Sequence, residues 1–487
     1  MADSALVELG AAGLAERIAA REVSCVEVVA AHLDRIDALN PQVNAIVARR
    51  DRDEVLAEAA ERDRALDRSG PAGPLHGIPM AIKDLAEVAG QPWTAGSPAF
   101  RDRVGAVDDP FVARVRAAGA VLVGRTNVPE LGLGSQSYNP VWGTTTNPYD
   151  ASRTAGGSSG GAAAALALRM LPVADGSDYM GSLRNPAAFC NVLGLRPSRG
   201  RVPQPGFVAQ LSEVGPMGRS VADVALLLSV LAGPDPAAPL ALTDRLDLTD
   251  LRPAELRGRR VAWLGDLGGR LATEPGVLEL GRGAADALAG LGADVVEFVP
   301  PFDLDRLWSA FLVWRWWGMV GKAPLLAEGV RELVKPEARW EIERGLALTP
   351  AAIADAMAVR DEWYAAVVRM VGPAGSFDAL LAPSAQVFPF PADVHWPAEI
   401  DGRPMDTYHR WMETVAPWSM AGIPVLGMPA GFDARGLPTG VQLIGPPGGD
   451  RRVLEIGLAY ERATGWVDRV RPPAALPTDE SEPAPRS

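Results

Sequence analysis

Apolar residues recur along this chain in two rhythms. Val26, Val29, Leu33 and Ile36 fall three and four residues apart, the repeat of one helix face, and Ser24-x-x-Glu27 ahead of them has the form of a capping box. A second helical stretch, Glu54 to Leu66, runs into the Gly/Pro cluster Ser69 to Pro74. Beyond it, short β-rich runs alternate with helical ones. Ile78 to Ile82 and Ala120 to Val123 read as strands, with helices at Pro110 to Ala118 and Gly160 to Met170. The alternation continues through helix Val221 to Leu231, strand Val261 to Leu264, helix Gly276 to Leu291 and strand Val295 to Val299. It ends with the apolar runs Ala379 to Leu381, Val425 to Met428 and Val441 to Ile444 and a helix over Arg452 to Thr464. This is α/β patterning.

No repeat period or interior linker divides the chain, so the reading is one large α/β domain over 69–470. A helical arm, 1–68, packs on it, and a Pro-rich disordered tail, 471–487, follows. A Trp-rich helical segment, about 303–370, holds Trp308, Trp314, Trp316 and Trp317 and continues through Trp340 and Trp363; such aromatics either fill a core or wall a substrate pocket.

With 487 residues the chain can bury a large core, and 60 acidic against 47 basic side chains argue against a nucleic-acid or anionic-membrane partner. Cys25 and Cys190 stand in no metal-type or CxxC spacing, which suits a reducing cytoplasm. The start carries Asp3 where a secretory signal carries a cation, and the most apolar run, Ala162 to Leu168, is too short to span a bilayer.

Among the basic residues, lysine occurs only at positions 83, 322 and 335. Lys322 and Lys335 read as incidental. Lys83 ends the apolar run Gly77-Ile78-Pro79-Met80-Ala81-Ile82, where an ammonium would be desolvated and its pKa depressed; a lysine able to be neutral can serve as a base.

Two glycine-serine clusters supply candidate nucleophiles. Gly156-Gly157-Ser158-Ser159-Gly160-Gly161 precedes an Ala-rich helix, and glycines there let the backbone approach a ligand. In Gly176-Ser177-Asp178-Tyr179-Met180-Gly181-Ser182, successive N–H groups before Ser182 can converge on an oxyanion. A serine needs a partner to take its proton. The histidines are His32, read as surface, His76, His395 and His409. Gly157-x-Ser159-x-Gly161 does match the nucleophile-elbow pattern, with His395 or His409 later in the chain, but that leaves the second cluster and Lys83 unexplained.

Gly-Ile-Pro-x-x-x-Lys-Asp ending at Asp84, the run 156–161 and Gly-Ser-Asp-x-x-Gly-Ser-x-Arg-x-Pro-Ala at 176–187 together resemble the amidase signature family. The likeness continues to Pro429-Ala430-Gly431-Phe432, to Gly436 through Gly445 and to a last helix with Glu461. The resemblance implies a mixed central sheet flanked by helices and a Ser-cisSer-Lys triad. Ser182 is then the nucleophile, Ser158, behind a cis peptide bond, the proton relay, and Lys83 the terminal base. The N–H groups of Tyr179, Met180, Gly181 and Ser182 hold the oxyanion. Asp178 and Arg184 brace the loop as an ion pair, and Ser159 and Ser177 support by hydrogen bonds.

No metal or organic cofactor is called for, and a homodimer is common among similar proteins. The implied activity is amide hydrolysis through an acyl-serine, with esters and carbamates within the family's range. Met180 departs from the second glycine usual at its position, and with the tryptophans it favours an apolar or aryl amide. The alternatives are the glutaminase component of a tRNA-dependent amidotransferase, a catalytically silent binding protein and a histidine-based hydrolase.

Overall fold

The computed structural model describes residues 2–475 apart from Ala209. The capping box forms: Ser24 Oγ accepts from the Glu27 N–H and Glu27 accepts in turn from the Ser24 N–H, opening the helix Cys25–Val43. Val28, Val29, Leu33 and Ile36 turn its apolar face onto the core. The second helix runs Arg52–Ser69, capped by Asp51. His32, read as a surface residue, is fully buried and bonds the Val28 carbonyl at 2.8 Å; it lies on the inner face beside Val28 and Val29.

Among the described residues, eleven strands form the two larger sheets, and four more make two two-stranded ribbons. Three build a small one: β1 (Ile46–Val47), β2 (Pro79–Lys83) and β3 (Val121–Thr126), in the order β1-β3-β2, with β2 and β3 parallel. The other eight are β4 (Val173–Asp178), β5 (Leu193–Arg196), β6 (Glu213–Gly218), β7 (Arg260–Trp263), β8 (Asp294–Glu297), β9 (Ala379–Pro383), β10 (Val425–Phe432) and β11 (Pro438–Ile444). They pair in the order β8-β7-β9-β11-β10-β5-β6-β4. The β8, β7 and β9 pairings are parallel and the rest antiparallel, so the domain has one large mixed sheet flanked by helices. The pattern reading located β7 to β11 and did not distinguish β4, β5 or β6, which are short and interrupted by Gly, Pro and charge. Gly176, Ser177 and Asp178, read as part of a loop, are paired strand residues of β4.

The short helix Gly160–Ala167 is apolar on every side, and all eight of its residues are buried, as a helix without a polar face must be. It packs on β4 and on the helix Arg184–Cys190, which lies over β10 and β11. The edge strand β4 meets β2, so the chain's three motifs converge where the two sheets abut.

Most of the tryptophans fill the core, one of the two roles foreseen. Trp308, Trp314 and Trp363 are buried in a second apolar cluster that also takes in Met180, Trp411 and Trp418. Trp314 and Trp317 also line a cavity of about 570 Å³ with Met357, Tyr364 and Met420. Lys335, read as incidental, donates to the Leu133 carbonyl at 2.9 Å. Of the expected tail, Pro473–Ala475 forms a 3-10 turn and Arg471 pairs with Glu8, while 476–487 lie outside the described residues. Among the described residues, no helix is long and apolar enough to cross a membrane.

Gly161 starts its helix hard against the main chain. A Cβ there would stand 2.4 Å from the Asn127 nitrogen and 2.5 Å from the Ala45 oxygen. Because neither is a side chain that can swing aside, Gly161→Ala is expected to lose about 1–3 kcal/mol of stability, seen as a lower Tm at fixed scan rate. An unchanged Tm would mean that the helix start is free to shift.

Candidate active site

β2 is buried along its whole length, and Lys83 at its end is 1% exposed. An amine carried into that interior must find its partners within reach. Lys83 Nζ lies 2.9 Å from Ser158 Oγ, 2.8 Å from Ser159 Oγ and 3.1 Å from Ser177 Oγ, with the Ser177 carbonyl at 3.2 Å. The three hydroxyls can accept from the amine or donate to its lone pair, so the same shell serves either protonation state. Burial drives the Lys83 pKa down, Asp175 and Asp178 push it partway back, and it settles at about 7. Asp84, its chain neighbour, turns the other way and accepts from Thr94 and Trp142.

The Gly157–Ser158 peptide bond is cis, as the resemblance implied. Its approach is clamped by Ser135, whose hydroxyl accepts from the Gly157 N–H at 3.2 Å and donates to the Gly157 carbonyl. Ser137 Oγ accepts from the Gly160 N–H. The Ser159 N–H donates to the Ser182 carbonyl at 3.3 Å, which ties the two glycine-serine clusters together.

The Ser182 loop turns on Asp178. Its carboxylate accepts from the N–H groups of Gly181 at 2.7 Å and Leu183 at 3.1 Å and takes two bonds of 2.9 Å from Arg184. Arg184 reaches on to the Val415 carbonyl, Gln442 and Ser419, and Arg196 binds the Asp178 carbonyl. Burial alone would raise the Asp178 pKa; the two guanidiniums outweigh it and hold the carboxyl well below the usual range. Gly181 has φ 83°, and a Cβ there would strike Asn185 Oδ1 at 2.1 Å. One assignment changes. The Gly181 N–H, counted among four oxyanion donors, is committed to Asp178, because the tight turn aims it back at the carboxylate.

Tyr179 and Met180 anchor the loop to the Trp-rich segment. Met180 is buried in the aromatic cluster, while the Tyr179 hydroxyl donates to the Trp314 carbonyl at 3.0 Å and Arg315 lies 4.8 Å over its ring. Arg315 in turn belongs to a buried network with Glu341, Tyr408 and His409. The cavity lined by Trp314 and Trp317 therefore joins this loop through Trp314, although Lys83, Ser158 and Ser182 do not line it.

The histidines stand elsewhere. His76 bonds the Ala72 N–H and the Arg62 carbonyl, His395 stacks on Tyr138 and His409 bonds Glu341. Sequence reasoning missed three residues around the lysine and its serines: Ser135, Ser137 and Asp175. Only Asp175 left a signal, a carboxylate directly after the apolar pair Val173-Ala174. Among the described residues, no three His, Cys, Asp or Glu side chains gather as a metal would require.

Arg184→Met strands the buried Asp178 charge, so a loss of about 3–5 kcal/mol in urea-unfolding stability is expected; a loss below about 1 kcal/mol would show the brace to be dispensable.

With this geometry in view, comparison with known proteins is direct. The amidase family profile matches residues 27–454. An acylamidase of Rhodococcus erythropolis is 35% identical over 483 residues, covering 96% of this chain and 98% of the relative. A glutamyl-tRNA(Gln) amidotransferase chain of Thermosynechococcus vestitus is 32% identical over 93% of this chain and 97% of its own. The crystal structure of a bacterial aryl acylamidase of the amidase signature enzymes superposes with TM-score 0.87 at 29% identity, covering 94% of this chain and 96% of that one. Profile, sequence and fold agree over nearly the full length, and the chain belongs to the amidase signature family.

Proposed function

We propose that this amide hydrolase works through Ser182, Ser158 and Lys83, releasing a carboxylic acid and an amine or ammonia by way of an acyl-serine. The observation that carries the reading is a fully buried amine 2.9 Å from Ser158 Oγ with a pKa near neutrality. Neutral Lys83 draws the Ser158 proton, Ser158 draws that of Ser182, and Ser182 Oγ attacks the carbonyl carbon. The oxyanion forms against the N–H groups of Tyr179, Met180 and Ser182. As the C–N bond breaks, Ser158 gives a proton to the leaving nitrogen and is resupplied by Lys83. Water then cleaves the ester by the same relay, regenerating the three side chains.

The substrate reading is an apolar or aryl amide. It is supported by the aromatic wall behind Tyr179 and Met180 and by the names of the acylamidase and aryl acylamidase relatives. Esters and carbamates (urethanes) are open to the same acylation. Free, buried Cys25 and Cys190 suit a reducing cytoplasm. All the proposed groups come from one chain, so a homodimer would not be needed to complete the site. The amidotransferase relatives favour a second reading, a glutaminase that passes ammonia to a partner. Turnover of anilides by the isolated chain, with glutamine untouched, separates the two; glutamine hydrolysis that appears only with a partner would reverse the choice.

Lys83→Ala and Ser182→Ala are each expected to lower kcat by about 10²–10⁴-fold, and a fluorophosphonate should label wild type but not Ser182→Ala. Turnover of Lys83→Ala near wild type would exclude the lysine base. Because the base must be neutral, kcat/KM should rise with pH through about 7; a profile flat down to about pH 5 contradicts the scheme.

A further inference from the structure

One buried carboxylate beside the relay has no task in the scheme above. Asp175 on β4 is 1% exposed, and its two oxygens lie 3.2 and 3.4 Å from the main-chain nitrogen of Lys83, which donates to them. The amine of the same lysine goes elsewhere, to Ser158, Ser159 and Ser177. Asp175 thus holds the lysine by its backbone, and its charge reaches the amine through the buried interior rather than by contact.

Two other charges act on this pair: Asp178 raises the Lys83 pKa and Arg125 lowers that of Asp175. On β4, Asp178 is neutralised by Arg184 and Arg196. Just past β2, Asp84 faces Thr94 and Trp142. On β3, Arg125 donates to the carbonyls of Ile82, Pro92, Lys83 and Ala86 and stands 3.7 Å from Asp84. No histidine hydrogen-bonds Lys83, Asp175 or the serines among the described residues.

We propose that Asp175 is a positioning residue of the proton relay: it fixes the Lys83 main chain at the end of β2 and supplies the counter-charge for the ammonium formed when the Ser182 proton arrives through Ser158. The inference rests on the reading of Lys83 as terminal base. Before the reaction, the lysine–aspartate pair carries one negative charge, on Asp175. When the Ser182 O–H and Ser158 O–H bonds have each passed a proton along, Lys83 is an ammonium, Asp175 is unchanged and the pair is neutral. Charge is thereby cancelled, rather than created, in the interior as the oxyanion develops at Ser182. Burial pushes the Asp175 pKa up, and the Lys83 N–H, the lysine charge and Arg125 pull it back down.

Asp175→Asn keeps the size and an acceptor for the Lys83 N–H and removes the charge. Without it the ammonium is less stable, the Lys83 pKa falls, and the acid limb of kcat/KM should move to lower pH by about one unit. The weaker base should also lower the plateau kcat by about three- to tenfold, with KM changed less than about twofold. A plateau that drops with the acid limb unmoved overturns the proposal and leaves Asp175 a purely structural residue.

Should Asp175→Asn not fold, the wild type provides the test. With lysine at only three positions, ¹³Cε-lysine NMR gives few signals, and that of Lys83 is identified by its absence in Lys83→Ala. It should titrate in two steps, its own and one from the neighbouring carboxyl; a single step overturns the proposal. If Lys83→Ala keeps wild-type turnover, the base reading itself has failed. If that variant is inactive and the acid limb of Asp175→Asn does not move, only the role of Asp175 has.

Discussion

An amine withdrawn from bulk solvent is the constraint on which the site depends. Lys83 is enclosed at the end of a strand with no polar face, and among the described residues Nζ bonds the hydroxyls of three serines and one carbonyl. That shell explains how a lysine can sit near neutrality rather than at its solution value. Desolvation penalises the ammonium, distant carboxylates restore part of the loss, and hydroxyls bind amine and ammonium alike. A carboxylate in direct contact would have fixed the proton on nitrogen; keeping Asp175 on the main chain avoids this.

The serines must be brought to the amine, and separate devices do so. The Ser158 loop is gripped from outside by Ser135 and Ser137, which bond main-chain groups on both sides of the cis peptide. The Ser182 loop is gripped from beneath by Asp178, which gathers two main-chain N–H groups and is itself neutralised by Arg184 and Arg196. Arg184 ties that loop on to Gln442 of β11 and to Ser419, so the Ser182 loop is referenced to the centre of the large sheet. Such fully partnered buried charges are costly to break singly, which suits a loop that must hold position.

The aromatic segment enters through Tyr179. Its ring rests under Arg315 and its hydroxyl on the Trp314 carbonyl, and the Arg315–Glu341 pair carries Tyr408 and His409 with it. Burial opposes the charge on Glu341, but Arg315 and His409 keep its carboxyl below the usual range. Tyr179 and Met180 therefore tie the Ser182 loop to side chains of the Trp-rich segment. Changes in the tryptophan segment can therefore shift the Ser182 loop without touching the serines.

Much of this was legible in the residues alone. Periodicity located the long helices and the apolar strands of the large sheet, the capping box was written as Ser24-x-x-Glu27, and the scarcity of lysine singled out Lys83 before any geometry was known. What escaped is instructive. β4, β5 and β6 carry Gly, Pro and charge in place of alternation, and they exist as strands because the sheet pairs them. His32 looks polar in one dimension and is buried because the helix turns that face inward. Asp175, Ser135 and Ser137 belong to no motif of their own; they matter because folding sets them beside residues 92, 22 and 23 positions away, and sequence distance carries no record of that adjacency. Even the Gly181 N–H changed assignment only when the turn showed where it points. Residue types determine which chemistry is available; the tertiary structure decides which groups share it, because proton affinity and hydrogen bonding depend on neighbours and burial that exist only in the folded chain.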